Sequence, residues 1–365
     1  MIRSGMGVVL ACSVVGVGLA AEPAAPTTEA VTVVHAARLV DVLNEKVVPD
    51  AYVVVRGKKI AAVGDRSVAP RGASLVELGD STIVPGLIDC HTHLADMPDV
   101  ADPTDTLRYS PAEIAYSAIP NARATLLAGF TTVRDVGTYR AFNDVALRDA
   151  IAKGLVDGPR MYVAGAYLTI TGGAGAMTGL AQDIPLPPTL HYGEANGPWE
   201  VRARIRDLAH RGADHIKLLS TGAVLTHGSN PKSIEFTPEE LSAAVQEAGS
   251  FGLKVAAHAH AAEGVKNAIR AGVASVEHAT LIDDEGLALA KERGTVLDMD
   301  IYDEECIQGD PATPKDFLQH DAELAEAQRQ AFRKAVKMGV KLTFGTDAGI
   351  CPHGTNARQF AFMVR

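Results

Sequence analysis

Five histidines, one aspartate and one lysine stand in this chain at spacings that suit divalent-metal chemistry. His91 and His93 are separated by one residue in Asp89-Cys90-His91-Thr92-His93. In a strand, alternate side chains share a face, so two imidazoles on one short arc can chelate one cation. A His-x-His pair alone is a weak signal, because such pairs are common on surfaces. The company it keeps strengthens it: His258 and His260 close the apolar run 254–258, His278 closes 274–278, and Asp347 follows 341–345 in Gly345-Thr346-Asp347. Lys217 sits inside Ile216-Lys217-Leu218-Leu219. An ammonium there is costly unless it is paired or neutralised. It reads either as a salt-bridged or snorkelling lysine, or as an amine neutral enough to be carboxylated by CO2 into an anionic bridge between two metals. Histidines alone leave two divalent cations short of compensating charge, and a carbamate with Asp347 supplies it.

Such residues converge only if the elements beneath them bring strand ends together. From residue 82, short β-branched runs (82–89, 131–135, 161–164, 215–219, 254–258, 274–278, 295–299 and 341–345) alternate with helix-like stretches such as 199–210, 238–250, 261–270, 284–292 and 322–338. Eight strand–helix units predict a (β/α)8 TIM-type barrel, whose active residues lie at the C-terminal ends of the strands. His258 and His278 are 20 residues apart, one unit, and His278 and Asp347 are 69 apart, two units. A doubly wound open sheet is the alternative, but no Gly-x-Gly-x-x-Gly turn follows an early strand. Thr237-Pro-Glu-Glu240 reads as a helix start, with a Thr cap, Pro at the first position and an acid at the third. Before the barrel, runs at 31–34, 52–56, 59–63 and 74–78 predict a small antiparallel sheet.

The organisation expected is a signal peptide over 1–20, a linker over 21–30, part of a small β domain over 31–81, and the barrel over 82–365. Arg3, the apolar run 7–20 and small residues at Gly18 and Ala20 carry the export reading. A run of about 14 apolar residues is short for a transmembrane anchor. Of 365 residues, 34 are Lys or Arg and 44 Asp or Glu, a net charge of −10. That balance, with no basic run, argues against nucleic-acid or anionic-membrane binding. After signal removal the cysteines are Cys90, Cys306 and Cys351, so at least one thiol stays free. With the eighth strand ending near Thr346, the barrel reading expects further helices and return strands beyond Arg365. It therefore expects a C-terminally truncated chain with exposed apolar surface and poor stability.

With these residues in view, the stretch from about Val31 to Arg365 resembles the metal-dependent amidohydrolase superfamily. Within it the chain is similar to the secreted Xaa-Pro dipeptidase-like branch of prolidases, Lys/Arg-releasing dipeptide carboxypeptidases and ochratoxin-hydrolysing amidases. The segments that carry the resemblance are Pro85-Gly86-Leu87-Ile88-Asp89-Cys90-His91-Thr92-His93, Ile216-Lys217, Ala257-His258-Ala259-His260, Val276-Glu277-His278-Ala279 and Phe344-Gly345-Thr346-Asp347-Ala348-Gly349. The resemblance implies one metal on His91, His93 and Asp347 and a second on His258 and His278. N6-carboxylysine at Lys217 bridges them, and Zn2+ is the expected ion. It also implies that His260 contacts the substrate carboxylate, the other reading being a hydrogen bond to a metal ligand.

The chain departs from the family at one loop. Relatives often carry His after the Thr-Gly-Gly that follows the third strand, and here Thr171-Gly172-Gly173 leads into Ala174-Gly175-Ala176. The loops 222–231 and 351–358 are expected to line the pocket, with His227, Asn230, His353 and Asn356 as either substrate contacts or loop structure. The expected reaction is hydrolysis of an amide bond in a dipeptide or N-acyl amino acid by a metal-bridging hydroxide, with Asp347 carrying the proton to the leaving amine. Alternatives are a cyclic-amide hydrolase of the imidazolonepropionase type and a non-catalytic binding protein on the same scaffold. Lys217 argues against the first and the full ligand set against the second. The partner expected is a small substrate; no membrane insertion follows signal cleavage, and homo-oligomerisation stays open.

Overall fold

The computed structural model describes residues 29–96, 103–181 and 183–364, so the expected signal peptide lies outside the described residues. The chain divides into two units at Pro85/Gly86. In the first, β1 (Val31–Asp41) pairs antiparallel with β2 (Lys46–Arg56) along its whole length, and β2 pairs with β3 (Lys59–Gly64). Both strands are longer than the runs 31–34 and 52–56, because Pro49-Asp50 interrupts the apolar pattern of β2 without ending its pairing. β4 (Ser74–Glu77) and β5 (Thr82–Ile83) add to β1 in parallel, which corrects the expectation of a wholly antiparallel sheet. Val33, Ala36, Ala51, Val53 and Val54 are its buried residues, while Ile60, Val63, Leu75 and Val76 are exposed.

The run 82–89 is therefore not one strand. Thr82 and Ile83 belong to the small sheet, and Val84-Pro85-Gly86 interrupts before β6 (Leu87–Thr92). Pro85 has no N–H to give a ladder.

The second unit is α/β, with two parallel sheets. One holds β6, β7 (Phe130–Asp135) and β8 (Arg160–Val163). The other runs β14-β13-β12-β11-β10-β9, comprising β9 (Tyr167–Leu168), β10 (Ile216–Leu219), β11 (Val255–Ala259), β12 (Ser275–His278), β13 (Val296–Asp298) and β14 (Leu342–Thr343). The helices are α1 (Pro111–Leu127), α2 (Asn143–Ala152), α3 (Gly197–His210), α4 (Pro238–Ser250), α5 (Ala262–Ala271), α6 (Asp284–Arg293), α7 (Glu304–Gly309), α8 (Lys315–Met338) and α9 (Gln359–Met363). None is long and apolar enough to cross a membrane among the described residues. Every residue of β10, β11 and β12 is buried, as a parallel sheet covered on its faces requires.

The capping box at α4 forms as its sequence dictates. Thr237 Oγ1 accepts from Glu240 N–H at 3.3 Å, and Glu240 Oε2 accepts from Thr237 N–H at 2.8 Å. Backbone bonds also run between the edges of the two sheets. Cys90 N–H donates to Phe344 O at 2.8 Å and His93 N–H to Ala348 O at 2.7 Å, while Asp214 N–H donates to Val163 O at 2.7 Å. The first two put the end of β6 beside the segment that follows β14, so residues about 255 positions apart become neighbours.

Candidate metal centre

Asp89 joins the two ends of the second unit. Its carboxylate accepts from His91 N–H at 3.1 Å, Thr346 N–H at 3.2 Å, Thr346 Oγ1 at 2.6 Å and Asn356 Nδ2 at 2.6 Å. Burial pushes the Asp89 carboxyl up to about 6, against those donors. The result is that Asp347 is held over the end of β6. His93 Nε2 lies 3.1 Å and His91 Nε2 3.5 Å from Asp347 Oδ1. Gly345 permits this approach, since a Cβ there would lie 1.9 Å from Asp298 Oδ1. Asp347 and His278 both adopt left-handed backbone, at φ 51° and 66°. Non-glycine residues rarely take that conformation, and it concentrates where side chains must be re-aimed at a site.

The other histidines gather around the same point. Ring centroids are 5.0 Å apart for His91 and His278, 4.6 Å for His258 and His278, and 4.9 Å for His260 and His278. Four of the five rings are fixed by one nitrogen, which leaves the other free to ligate, whereas His91 Nδ1 lies 3.2 Å from Glu277 Oε2 with no hydrogen bond among the described residues. His93 Nδ1 donates to Gly137 O at 2.9 Å, with Tyr167 Oη at the same distance. His278 Nδ1 donates to Asp300 Oδ2 at 2.8 Å, His258 Nε2 to Gly222 O at 3.2 Å, and His260 Nδ1 shares a bond with Thr280 Oγ1 at 2.7 Å. Ligand atoms of His91, His93 and Asp347 lie within 4.8 Å of one another, as do those of His278, Asp300 and Asp347.

The electrostatics fit cation binding. Burial, then the neighbouring positive groups, drive His91, His258 and His260 well below the usual imidazole range, so they are neutral and able to ligate. Burial opposes charge on both His93 and Asp347, yet their mutual bond wins. It raises His93 to about 9 and, with His91, holds Asp347 far below the usual carboxylate range. A divalent ion held by His93 and Asp347 would take the place of that shared proton. Lys217 is only 2% exposed, and among the described residues no hydrogen bond or ion pair reaches its Nζ. Burial lowers its pKa against the pull of Glu277 and Asp347.

A third acidic group, His91–Glu277–Asp298, is differently occupied. Arg134 Nη2 already donates to Glu277 Oε2 at 2.6 Å and Asp298 Oδ2 at 3.1 Å, so a cation there would face a guanidinium.

His91, His93, Lys217, His258, His260, His278 and Asp347 all line one cavity, with Leu225, Ile307, Leu324 and Ile350 on an apolar wall. Ala174 also lines it, its N–H donating to Glu235. The loop residues are placed elsewhere. Asn356 is fully buried and spends its amide on Asp89 and Thr346, so its place is structural, not against substrate. His227 packs against Phe317 with its ring tilted and lies 3.4 Å from Asp316, outside the cavity lining. His353 is also outside that lining. Neither of its ring nitrogens has a hydrogen-bond partner among the described residues, and burial, then His93, lowers it to about 4. Asn230 shapes the loop, its backbone carbonyl accepting from Ser233. Sequence reasoning missed Tyr167, Asp300, Gln328 and Arg134. Arg134 carried the same signal as Lys217, a cation inside a strand.

The amidohydrolase family model matches residues 82–365. Ochratoxinase of Aspergillus niger is 31% identical, over 93% of this chain and 73% of its own length. Its crystal structure superposes with a TM-score of 0.79 at 30% identity, covering 92% of this chain and 80% of that one. The crystal structure of a Xaa-Pro dipeptidase with bound methionine in its active site gives a TM-score of 0.83 at 35% identity, covering 92% and 84%. On the family match and these relatives, the chain belongs to the amidohydrolase family.

Proposed function

We propose that this chain is a dinuclear metal-dependent hydrolase that cleaves the amide bond of dipeptides or N-acyl amino acids. The observation that carries the reading is a buried lysine that has no hydrogen bond or ion pair among the described residues and lines one cavity with five imidazoles and the Asp347 carboxylate. In this reading His91, His93 and Asp347 hold one metal and His258 and His278 the other. Lys217 joins both after its neutral Nζ adds to CO2, losing a proton and forming a carbamate. Two divalent ions, Zn2+ by expectation, supply a water acidic enough to attack near neutral pH and an electrophile for the scissile carbonyl. Asp347 Oδ1 accepts the proton of the attacking water and returns it to the leaving amine. His260, its Nδ1 engaged by Thr280, turns its other nitrogen to the substrate carboxylate. The apolar wall of Leu225, Ile307 and Ile350 limits water around the reacting carbonyl.

The same reading takes the two parallel sheets as arcs of one (β/α)8 barrel, supported by the backbone bonds from Cys90 and His93 on one side and Asp214 on the other. It also takes the protein as exported. The disulfide between Cys306 and Cys351, with Cys90 left free, supports that, since such bonds persist in oxidising compartments. The names of the relatives, a dipeptidase and ochratoxinase, favour amide substrates, while Ala174 at the pocket wall argues for a substrate grip of this chain's own.

The test is a panel of dipeptides and N-acyl amino acids offered to Zn2+-loaded protein, reading released amino acid. Turnover of at least one member is expected, with Asp347→Asn lowering kcat by about 10^2 to 10^4 while metal stays bound. Near-normal turnover by Asp347→Asn with both metals in place would contradict the assignment.

A further inference from the structure

One proposed ligand in the centre is held by a chain of contacts that reaches α8, a helix that also lines the cavity. His278 Nδ1 donates to Asp300 Oδ2 at 2.8 Å, and Gln328 Nε2 donates to Asp300 Oδ1 at 3.0 Å. Asp300 is completely buried and Gln328 nearly so. Asp300 follows β13, and Gln328 sits midway along α8, so two separate elements close on a histidine that ends β12. The histidine needs that support. His278 and Ala279 are both in left-handed backbone, at φ 66° and 47°, so β12 itself does not hold the ring in a relaxed strand geometry.

The geometry points to Asp300 and Gln328 as positioning residues for the metal ligand His278. Asp300 Oδ2 accepts the hydrogen bond from Nδ1–H, which fixes the tautomer and leaves the Nε2 lone pair for the cation. Gln328 holds the Asp300 carboxylate in the plane that does this. A carboxyl oxygen accepting from the far nitrogen also makes the imidazole a stronger donor to the metal. Asp300 is not itself required as a ligand here, because one of its oxygens faces His278 Nδ1 and the other faces Gln328. This inference rests on the metal-centre reading proposed above and adds to it a prediction about α8, whose Gln328 touches no proposed ligand.

The test uses the full chain and Zn2+ alone, with affinity measured by chelator competition and the tautomer of His278 read by 15N-histidine NMR. In wild type, His278 is expected to carry its proton on Nδ1 both before and after Zn2+ is added. Asp300→Asn is expected to weaken one Zn2+ equivalent by about 10- to 100-fold. Gln328→Leu is expected to weaken the same equivalent by less, with the thermal midpoint of the metal-free protein nearly unchanged. Wild-type affinity in both variants would overturn the inference, as would a His278 proton on Nε2 in the wild type. If Asp300→Asn does not fold, Gln328→Leu and the wild-type tautomer decide alone. A wild-type chain that takes up no Zn2+ overturns the metal-centre reading itself, whereas two tight equivalents in every variant overturn only this one.

Discussion

Glu235 holds the loop that follows Thr171-Gly172-Gly173 through the Ala174 backbone. The Ala174 N–H is held by both Glu235 oxygens at 3.0 and 2.9 Å. Burial pushes the Glu235 carboxyl up to about 7, against the Ala174 hydrogen bond that favours its charged form. The sign of the consequence follows. Between the ordinary value of 4.5 and about 7, the folded state keeps a proton that the unfolded chain has released, so stability falls as pH rises through that window. Glu235→Gln cannot ionise and should lose that slope. Urea unfolding midpoints at pH 5 and pH 8 are expected to fall further for wild type than for the variant. Parallel pH dependence in the two proteins would remove Glu235 as the cause.

At the scale of elements, the segments after β13 and β14 are fastened to each other at several points. Cys306 is bonded to Cys351, Tyr302 Oη lies 3.1 Å from Thr355 Oγ1, and Arg358 pairs with Glu305. Ile307 and Ile350, next to the two cysteines, both line the cavity. The disulfide thus fixes a wall of the pocket, and closing a loop of this length is worth about 4 kcal/mol by chain entropy. Reduction is expected to lower the thermal midpoint and to raise KM more than it lowers kcat; a reduced protein with unchanged KM would separate the bond from the pocket. Elements with strong local signals were legible in the sequence. The capping box placed the start of α4 at Pro238, and the apolar run placed β11. The two-residue strand β9 and the six-residue α7 carry too little local pattern, and the break at Val84-Pro85-Gly86 was hidden inside one continuous apolar run.

Across the whole molecule, the residues proposed to hold metal were legible because their types are costly where they stand. Histidine pairs at strand ends and a lysine between isoleucine and leucine have few structural uses. Their supports were not legible, because Asp300 and Gln328 find His278, and Asn356 finds Asp89, only after packing brings distant segments together. The loop residues His227 and Asn356 looked like substrate contacts for the same reason: polarity in a loop does not say which way a side chain is spent. The account as a whole stands on two cations joined through Lys217. The most direct measurement is zinc content per chain, by elemental analysis after dialysis in bicarbonate-containing buffer, for wild type and Lys217→Ala. Two Zn2+ per wild-type chain, with one or none and no amide turnover in Lys217→Ala, is the predicted result; a wild type without zinc, or a Lys217→Ala protein that keeps both ions and full turnover, would contradict it.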